Sequence, residues 1–478
     1  MTDTSPIAGR RVVVGAVLLA MFMAAMEATV IGTAMPTVVS ELRGIERYGW
    51  VGAVYMLATT VTIPLYGKLA DTLGRKPTML VGIALFLLGS VASGMAPTMN
   101  LLIVARAVQG VGAGGIQPIA LTIIGDLFTP GERARIQGLF GAVWGIAGIS
   151  GPLLGGLIVR VLSWRWVFFI NVPFGALAAA LLAAGYKEQR TEAPSRAIDG
   201  FGALLLTAAV LSLLAGVSGS SPGLTLPLSL ASLVAFLWVE RRHPSPILPL
   251  DLLGRRLIAV SSAAGAVVGG VMTSVVLYVP LYVQAILGGS PTDGGTTIAP
   301  MLIGWPLMAA LSGRLLLKVG TRPLVRGGFL LVALASIALD RAVVLGSGVN
   351  FLRATMFVFG AGMGLANTAL LIAVQESVSA AQRGVATAST MFFRTIGGAV
   401  LVGALGAIVA HAVAGRLPDE VLAAILGPDH GRGLGSAALA AYAQTLRVGM
   451  SPIFHTIAAM AAVGAALSWA FPENRVAR

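Results

Sequence analysis

Apolar runs of about 20 residues, the length of one bilayer crossing, recur along this chain between short polar segments. They predict six spans near 12–36, 50–70, 78–96, 100–125, 134–159 and 165–186. Two more follow near 199–217 and 224–240, and then six near 257–286, 294–318, 324–345, 350–375, 384–412 and 445–471. The first run follows Arg10 and Arg11 but continues to about Met35 without a clear small-residue cleavage site, so it reads as a span and not as a removable leader. The expected fold class is an all-α membrane protein with fourteen transmembrane helices.

The pattern repeats itself. Gly67-Lys68-Leu69 and Gly74-Arg75-Lys76-Pro77 recur at the same spacing as Gly313-Arg314-Leu315 and Gly320-Thr321-Arg322-Pro323. Asp126, Thr129, Glu132 and Arg133 recur as Glu376, Ser379, Gln382 and Arg383, and Gly110, Gly112 and Gly114 as Gly360, Gly362 and Gly364. Two six-helix halves on one plan follow: an N-terminal bundle at 1–190 and a C-terminal bundle at 251–478, with an outer loop at 414–444. The two spans without a counterpart form an insert at 191–250, flanked by cytoplasmic linkers.

Composition changes the picture only where it excludes. The chain is 56% hydrophobic and 11% charged with a mean hydropathy of +0.89, whereas about a quarter of a soluble chain is charged. Its net charge of +13 would suggest nucleic acid in a soluble protein. Here most Lys and Arg fall in segments that are cytoplasmic if the N-terminus is inside, as the positive-inside rule requires. A multi-pass inner-membrane protein with both termini in the cytoplasm is expected, with no nucleic-acid partner. The absence of Cys excludes disulfides and thiolate chemistry. No G-x-x-x-x-G-K-[ST] loop is present, and His243, His411, His430 and His455 are scattered. No enzyme activity, cofactor or metal is therefore expected.

Glu27, Arg106 and Arg394 lie within spans, away from the clusters of charge at their ends. Glu27 lies roughly 22 Å along the first helix and Arg106 roughly 9 Å into the fourth from the outer face, comparable depths at which the two could meet. Burial disfavours the charged form of a carboxyl, so Glu27 is a candidate proton carrier and Arg106 its coupling partner. In the second half Met356 and Phe359 stand where Arg106 and Gln109 do, so the fold alone does not require the arginine. Arg394 sits nearer the middle of the thirteenth span, at the position Trp144 holds in the first half, and either substrate or lipid-headgroup contact or a structural ion pair would explain it. Asp340 beside Arg341 reads as a solvated interfacial pair, and Asp293 after Ser290 and Pro291 as a capped helix start. Tyr55, Phe140, Trp144, Tyr278, Tyr282, Gln284, Trp305, Phe392 and Phe393 are candidates for an apolar cavity with a few polar anchors, together with Gln109 and Arg394.

The run Gly67 to Pro77 resembles the signature between the second and third helices of the major facilitator superfamily. Glu27 to Val38, Arg106 to Gly110, and Gly151-Pro152 with Gly155-Gly156 resemble its drug:proton antiporter branch, and fourteen spans narrow that branch further. The resemblance implies the major-facilitator fold and a gating group of Gly67, Asp71, Gly74, Arg75, Lys76 and Asp126. Within it Asp71 would cap a helix of the other half, and Arg75 would reach Asp126 to latch the outward-open state. Leu317 replaces the matching aspartate in the second repeat, which makes that latch one-sided. For Gly151, Pro152, Gly155 and Gly156 the resemblance implies an antiporter motif; close helix packing and a proline bend explain the same residues. Glu27 departs from the family, where aspartate is usual.

The expected function is a proton-coupled exporter of small hydrophobic or cationic compounds such as drugs, by alternating access, with protons and the bilayer as partners and a monomeric state. An exporter of a lipid or cell-envelope metabolite, whose anionic group Arg394 and Arg106 would hold, is the alternative. A non-transporting membrane sensor is a third reading.

Overall fold

Inside a bilayer every backbone N–H and C=O must find a partner within the protein, and a continuous helix satisfies both with local bonds alone. The apolar runs fold accordingly in a computed structural model of the chain, which describes residues 7–43, 47–188, 199–218, 221–289, 291–413 and 436–473. The helices of the first half are α1 (Ile7–Leu42), α2 (Tyr48–Leu73), α3 (Arg75–Gly94), α4 (Met99–Leu127), α5 (Pro130–Val161), the short α6 (Trp166–Phe169) and α7 (Asn171–Gly185). Between the two halves lie α8 (Gly200–Val217), α9 (Pro222–Glu240) and the short α10 (Leu250–Leu253). The second half supplies α11 (Arg256–Ala285), α12 (Pro291–Val319), α13 (Thr321–Leu345), α14 (Val349–Glu376), α15 (Arg383–Val413) and α16 (Ser436–Trp469). Among the described residues thirteen helices are long and apolar enough to cross a membrane, and fourteen if the bent α5 counts as one span.

Two local features differ from the expected pattern, and a third, the proline bend in α5, follows it. The sixth span breaks at Ile170, because Pro173 has no N–H and its ring crowds the carbonyl of Phe169 one turn earlier. The last helix begins at Ser436, so the part of the predicted outer loop from Ser436 to Gln444 is helical; its Ala-rich sequence sustains a helix without strong hydropathy. α5 bends by 40° between Gly148 and Leu153, around Gly151-Pro152. The linker at 189–198, the outer loop at 414–435 with His430, the Ser290 cap, and Arg475 and Arg478 lie outside the described residues.

The chain packs as two compact units. The first comprises Met1–Thr207, Val234–Arg255 and Val374–Phe392; the second comprises Ala208–Leu233, Arg256–Ala373 and Phe393–Arg478. The end of α14 and the start of α15 thus belong to the first unit. α9 is the least enclosed of these helices, with 17% of its most apolar stretch buried.

The internal repeat is visible in the packing of each unit. Gly110 lies against Tyr55, Gly112 against Phe86 and Gly114 against Thr59; Gly360 lies against Met301, Gly362 against Val332 and Gly364 against Trp305. Corresponding glycines therefore admit corresponding helices to close approach, α4 onto α2 and α3 in one unit and α14 onto α12 and α13 in the other. The reversals after α2 and α12 use glycines at matching positions, Gly74 at φ +106° and Gly320 at φ +80°, a region that side chains disfavour.

Candidate functional site

Within the first unit, Glu27 of α1 and Arg106 of α4 meet as an ion pair between Oε1 and Nη1, both residues 1% exposed. The second carboxylate oxygen of Glu27 accepts a bond from Asn171 Nδ2 at 2.6 Å. Asn171 also donates to Ser90 Oγ at 3.1 Å, and Ser90 donates onward to the Phe168 carbonyl at 2.8 Å. Arg106 donates to Gln109 Oε1 at 2.6 Å and to the Val51 carbonyl at 3.3 Å. Its guanidinium stands 4.2 Å from the centre of the Tyr55 ring, a favourable cation–π geometry. Two opposite charges, buried and each hydrogen-bonded to further polar groups, are the arrangement that makes ionisation tolerable away from water.

The packing around this cluster explains its position. The break before α7 puts Asn171 at a helix start, facing α1 and α3. Gly89 of α3 lets the backbone of Gln109 approach, and Gly175 of α7 makes room for Met23 and Leu87. In the second repeat the corresponding positions are Met301, Met356 and Phe359, where the first has Tyr55, Arg106 and Gln109. The polar cluster is built into one repeat only.

At the other end of α2 the residues expected as a gate come together. Asp71 accepts from the amides of Gly384 at 3.0 Å and Val385 at 2.8 Å, at the N-terminus of α15, where exposed N–H groups and the helix dipole favour an anion. Gly67 allows this approach, since a side chain there would meet Ala388. Arg75 Nη2 lies 3.1 Å from Asp71 Oδ1, and its Nε lies 3.1 Å from Asp126 Oδ2 as an ion pair without hydrogen-bond alignment. Arg75 also donates to the Ala380 carbonyl. Lys76 donates to the Ala183 carbonyl at 2.6 Å.

Several partners were not evident from sequence. Glu188 accepts from the amides of Arg75 and Lys76 and so caps α3, and a side chain at Gly74 would collide with it. Arg383 pairs with Asp126 at 2.7 Å, and Arg133 pairs with Glu376 at 2.6 Å. Since Asp126 repeats as Glu376 and Arg133 as Arg383, each acid takes the arginine of the other repeat. The one-sidedness expected from Leu317 holds for the helix cap alone, because the acid–arginine exchange is reciprocal. The repeat supplied the signal for these two pairs; Glu188, Asn171 and Ser90 have none in local sequence.

The antiporter-motif glycines divide by face. Gly151 meets Thr29 and Gly155 meets Thr33 and Val30 of α1, while Gly156 has open space around its Cβ position. Thr29 Oγ1 binds the Ala147 carbonyl of α5 at 3.0 Å and ties the crossing. Pro152 lies at the bend.

The cavity candidates separate as well. Gln109, Tyr282 and Phe392 are buried, at 0%, 0% and 4% exposure, so here they pack inside their own units and do not line an open surface. Tyr282 stacks edge-on against Phe454 at 5.7 Å, and no acceptor among the described residues meets its hydroxyl. Tyr55, Phe140 and Tyr278 are also nearly enclosed. Trp144, Gln284, Trp305, Phe393 and Arg394 are partly or well exposed. Asp340 is 8% exposed and bonds His455 Nδ1 of α16, so the pair expected with Arg341 is replaced. Asp293 lies in the first turn of α12.

At the C-terminal end of α1, Glu41 accepts from Arg165 and from Trp164 Nε1, the latter at 2.7 Å. These bonds, that from Arg165 first, hold the Glu41 carboxyl below its ordinary value.

The profile of the Major Facilitator Superfamily matches residues 17–402. The chain is 35% identical over 429 residues to Multidrug transporter protein MdtP of Bacillus subtilis, covering 86% of this chain and 78% of that one. It is 34% identical over 433 residues to Multidrug resistance protein 3 of the same organism, covering 87% and 83%. Among solved structures it superposes on the human organic anion transporter MFSD10 (TETRAN), with a TM-score of 0.63, 17% identity and coverage of 94% and 99%. The proton:xylose symporter XylE superposes with a TM-score of 0.65, 15% identity and coverage of 97% and 96%. These two share the fold. By family profile, by relatives across most of its length and by its helical architecture, the chain belongs to the Major Facilitator Superfamily.

Proposed function

We propose that this transporter is a proton-coupled exporter of small hydrophobic or cationic compounds, an antiporter working by alternating access as a monomer in a bacterial cell membrane with both termini cytoplasmic. The observation that carries the coupling is the enclosed Glu27–Arg106–Asn171 cluster. The names of the Bacillus relatives, a multidrug transporter and a multidrug resistance protein, support drug efflux.

Both oxygens of Glu27 already accept from N–H donors. Protonation removes the negative charge that Arg106 and Asn171 now bond, so proton uptake weakens both contacts and frees Glu27 to move. Proton uptake is thereby tied to side-chain movement. When Glu27 becomes neutral, Arg106 retains Gln109, the Val51 carbonyl and the Tyr55 face, so the cation is not stranded. Asp71, Arg75 and Asp126 act as the gate, since the bonds of Asp71 and Asp126 to the start of α15, and that of Arg75 to the Ala380 carbonyl just before it, must break before these helix ends part. No cofactor takes part; the proton is the coupling ion.

Purified protein in liposomes containing a pH-sensitive dye tests the reading. Adding a lipophilic cationic dye is expected to drive proton movement in the opposite direction. Dye transport with no proton flux overturns the coupling.

A further inference from the structure

Arg394 follows the start of α15 at Arg383 by three turns, roughly 16 Å of helix, which puts its backbone near the middle of a hydrocarbon layer about 30 Å thick. Its place is fixed by a crossing of small residues in the second unit. Gly269 of α11 lies against the Arg394 carbonyl and Cγ, and Gly397 lies against Ala266. Among the described residues no hydrogen bond or ion pair reaches the guanidinium, and the side chain is partly exposed. The structural ion pair that would have explained this arginine is not formed.

Charge balance makes the point sharper. The other charges carried deep within spans, Glu27 and Arg106, neutralise each other, so Arg106 is committed and unable to serve a second anion. A guanidinium stays charged at any working pH and offers five donors in a planar fork. Within a bilayer such a group is costly unless an acceptor meets it. Trp144, at the corresponding position of α5, is 38% exposed and Arg394 is partly exposed, so in neither repeat is this position fully enclosed by its own helices. The fork therefore presents unfilled donors at mid-membrane depth, far from lipid headgroups.

We infer that Arg394 is a recognition site for an oxyanion, a carboxylate or phosphate group carried on the transported compound. The compound class then includes acidic and zwitterionic amphiphiles as well as simple cations. The inference rests on the export reading for its physiological meaning, but binding alone tests it.

The probes are rhodamine B, which carries a free carboxylate, and its ethyl ester, which keeps the same cationic ring system. Binding of each to the full-length protein in discs of zwitterionic lipid is followed by fluorescence polarisation, for the native chain, Arg394→Gln and Arg394→Lys. A bidentate charge-assisted contact predicts that Arg394→Gln lowers the acid-to-ester affinity ratio about tenfold. Arg394→Lys, which keeps the charge and loses the fork, lowers it about threefold and serves if the glutamine variant does not fold. An unchanged ratio in the folded variants overturns the assignment. So does loss of the native preference for the acid when phosphatidylglycerol is added to the disc, because the oxyanion is then a lipid's. No gradient is involved, so failure of proton coupling and failure of this site give separate results.

Discussion

Glu27 is held from two sides, by a cation and by an amide, and removing either support has a different cost. Arg106→Met, the residue of the second repeat, leaves a carboxylate uncompensated in a dry site and is expected to destabilise by about 3–5 kcal/mol. Adding Glu27→Gln to that variant removes the stranded charge and restores most of the loss, as thermal unfolding in detergent will show. Glu41 behaves differently because it lies outside the spans and is well exposed. Its carboxyl is held below the ordinary value, so its contribution is present above the ordinary carboxylate range and fades as pH falls through the lowered value. Glu41→Gln should therefore lower the melting temperature slightly at neutral pH, and the difference should vanish in strong acid. Glu27 and Arg106 were legible because a charge in an apolar run is conspicuous. Asn171 and Ser90 were not, since an uncharged polar residue in such a run carries no mark of a partner far away in sequence.

At the scale of helices, the α1–α5 crossing rests on Gly151 and Gly155 facing Thr29 and Thr33. Gly151→Ala would drive a methyl into Thr29 Oγ1 and cost about 1–3 kcal/mol. Thr29→Ala in the same chain should recover part of that, while Gly156→Ala should be nearly neutral because nothing lies within 4 Å. Unfolding of the three variants in detergent ranks them. Helix positions followed from apolar run length, and the predicted ends fell within about four residues of the observed ones except in α1, which runs five to six residues further at each end, and at the start of α16. There an alanine-rich stretch of modest hydropathy hid the first turns, since alanine favours helix without favouring oil. The break before α7 had a signal in Pro173 that run length alone overlooked.

For the molecule as a whole, the repeat carried most of the information. Matching glycines predicted matching crossings, and the reciprocal pairs Asp126–Arg383 and Arg133–Glu376 follow from exchanging the two copies. The gate should accordingly depend on pair complementarity: Asp126→Arg alone slows efflux, and Arg383→Asp added to it restores part of the rate, measured as dye loss from loaded cells. The central claim is that Glu27 couples proton entry to export. Its most direct test is uptake of a lipophilic cationic dye into proteoliposomes under an imposed pH gradient, comparing the native chain with Glu27→Gln. The account predicts that the variant still binds the dye but no longer concentrates it against its gradient. Concentration by Glu27→Gln at the native level, with the pH gradient as the sole driving force, would contradict it.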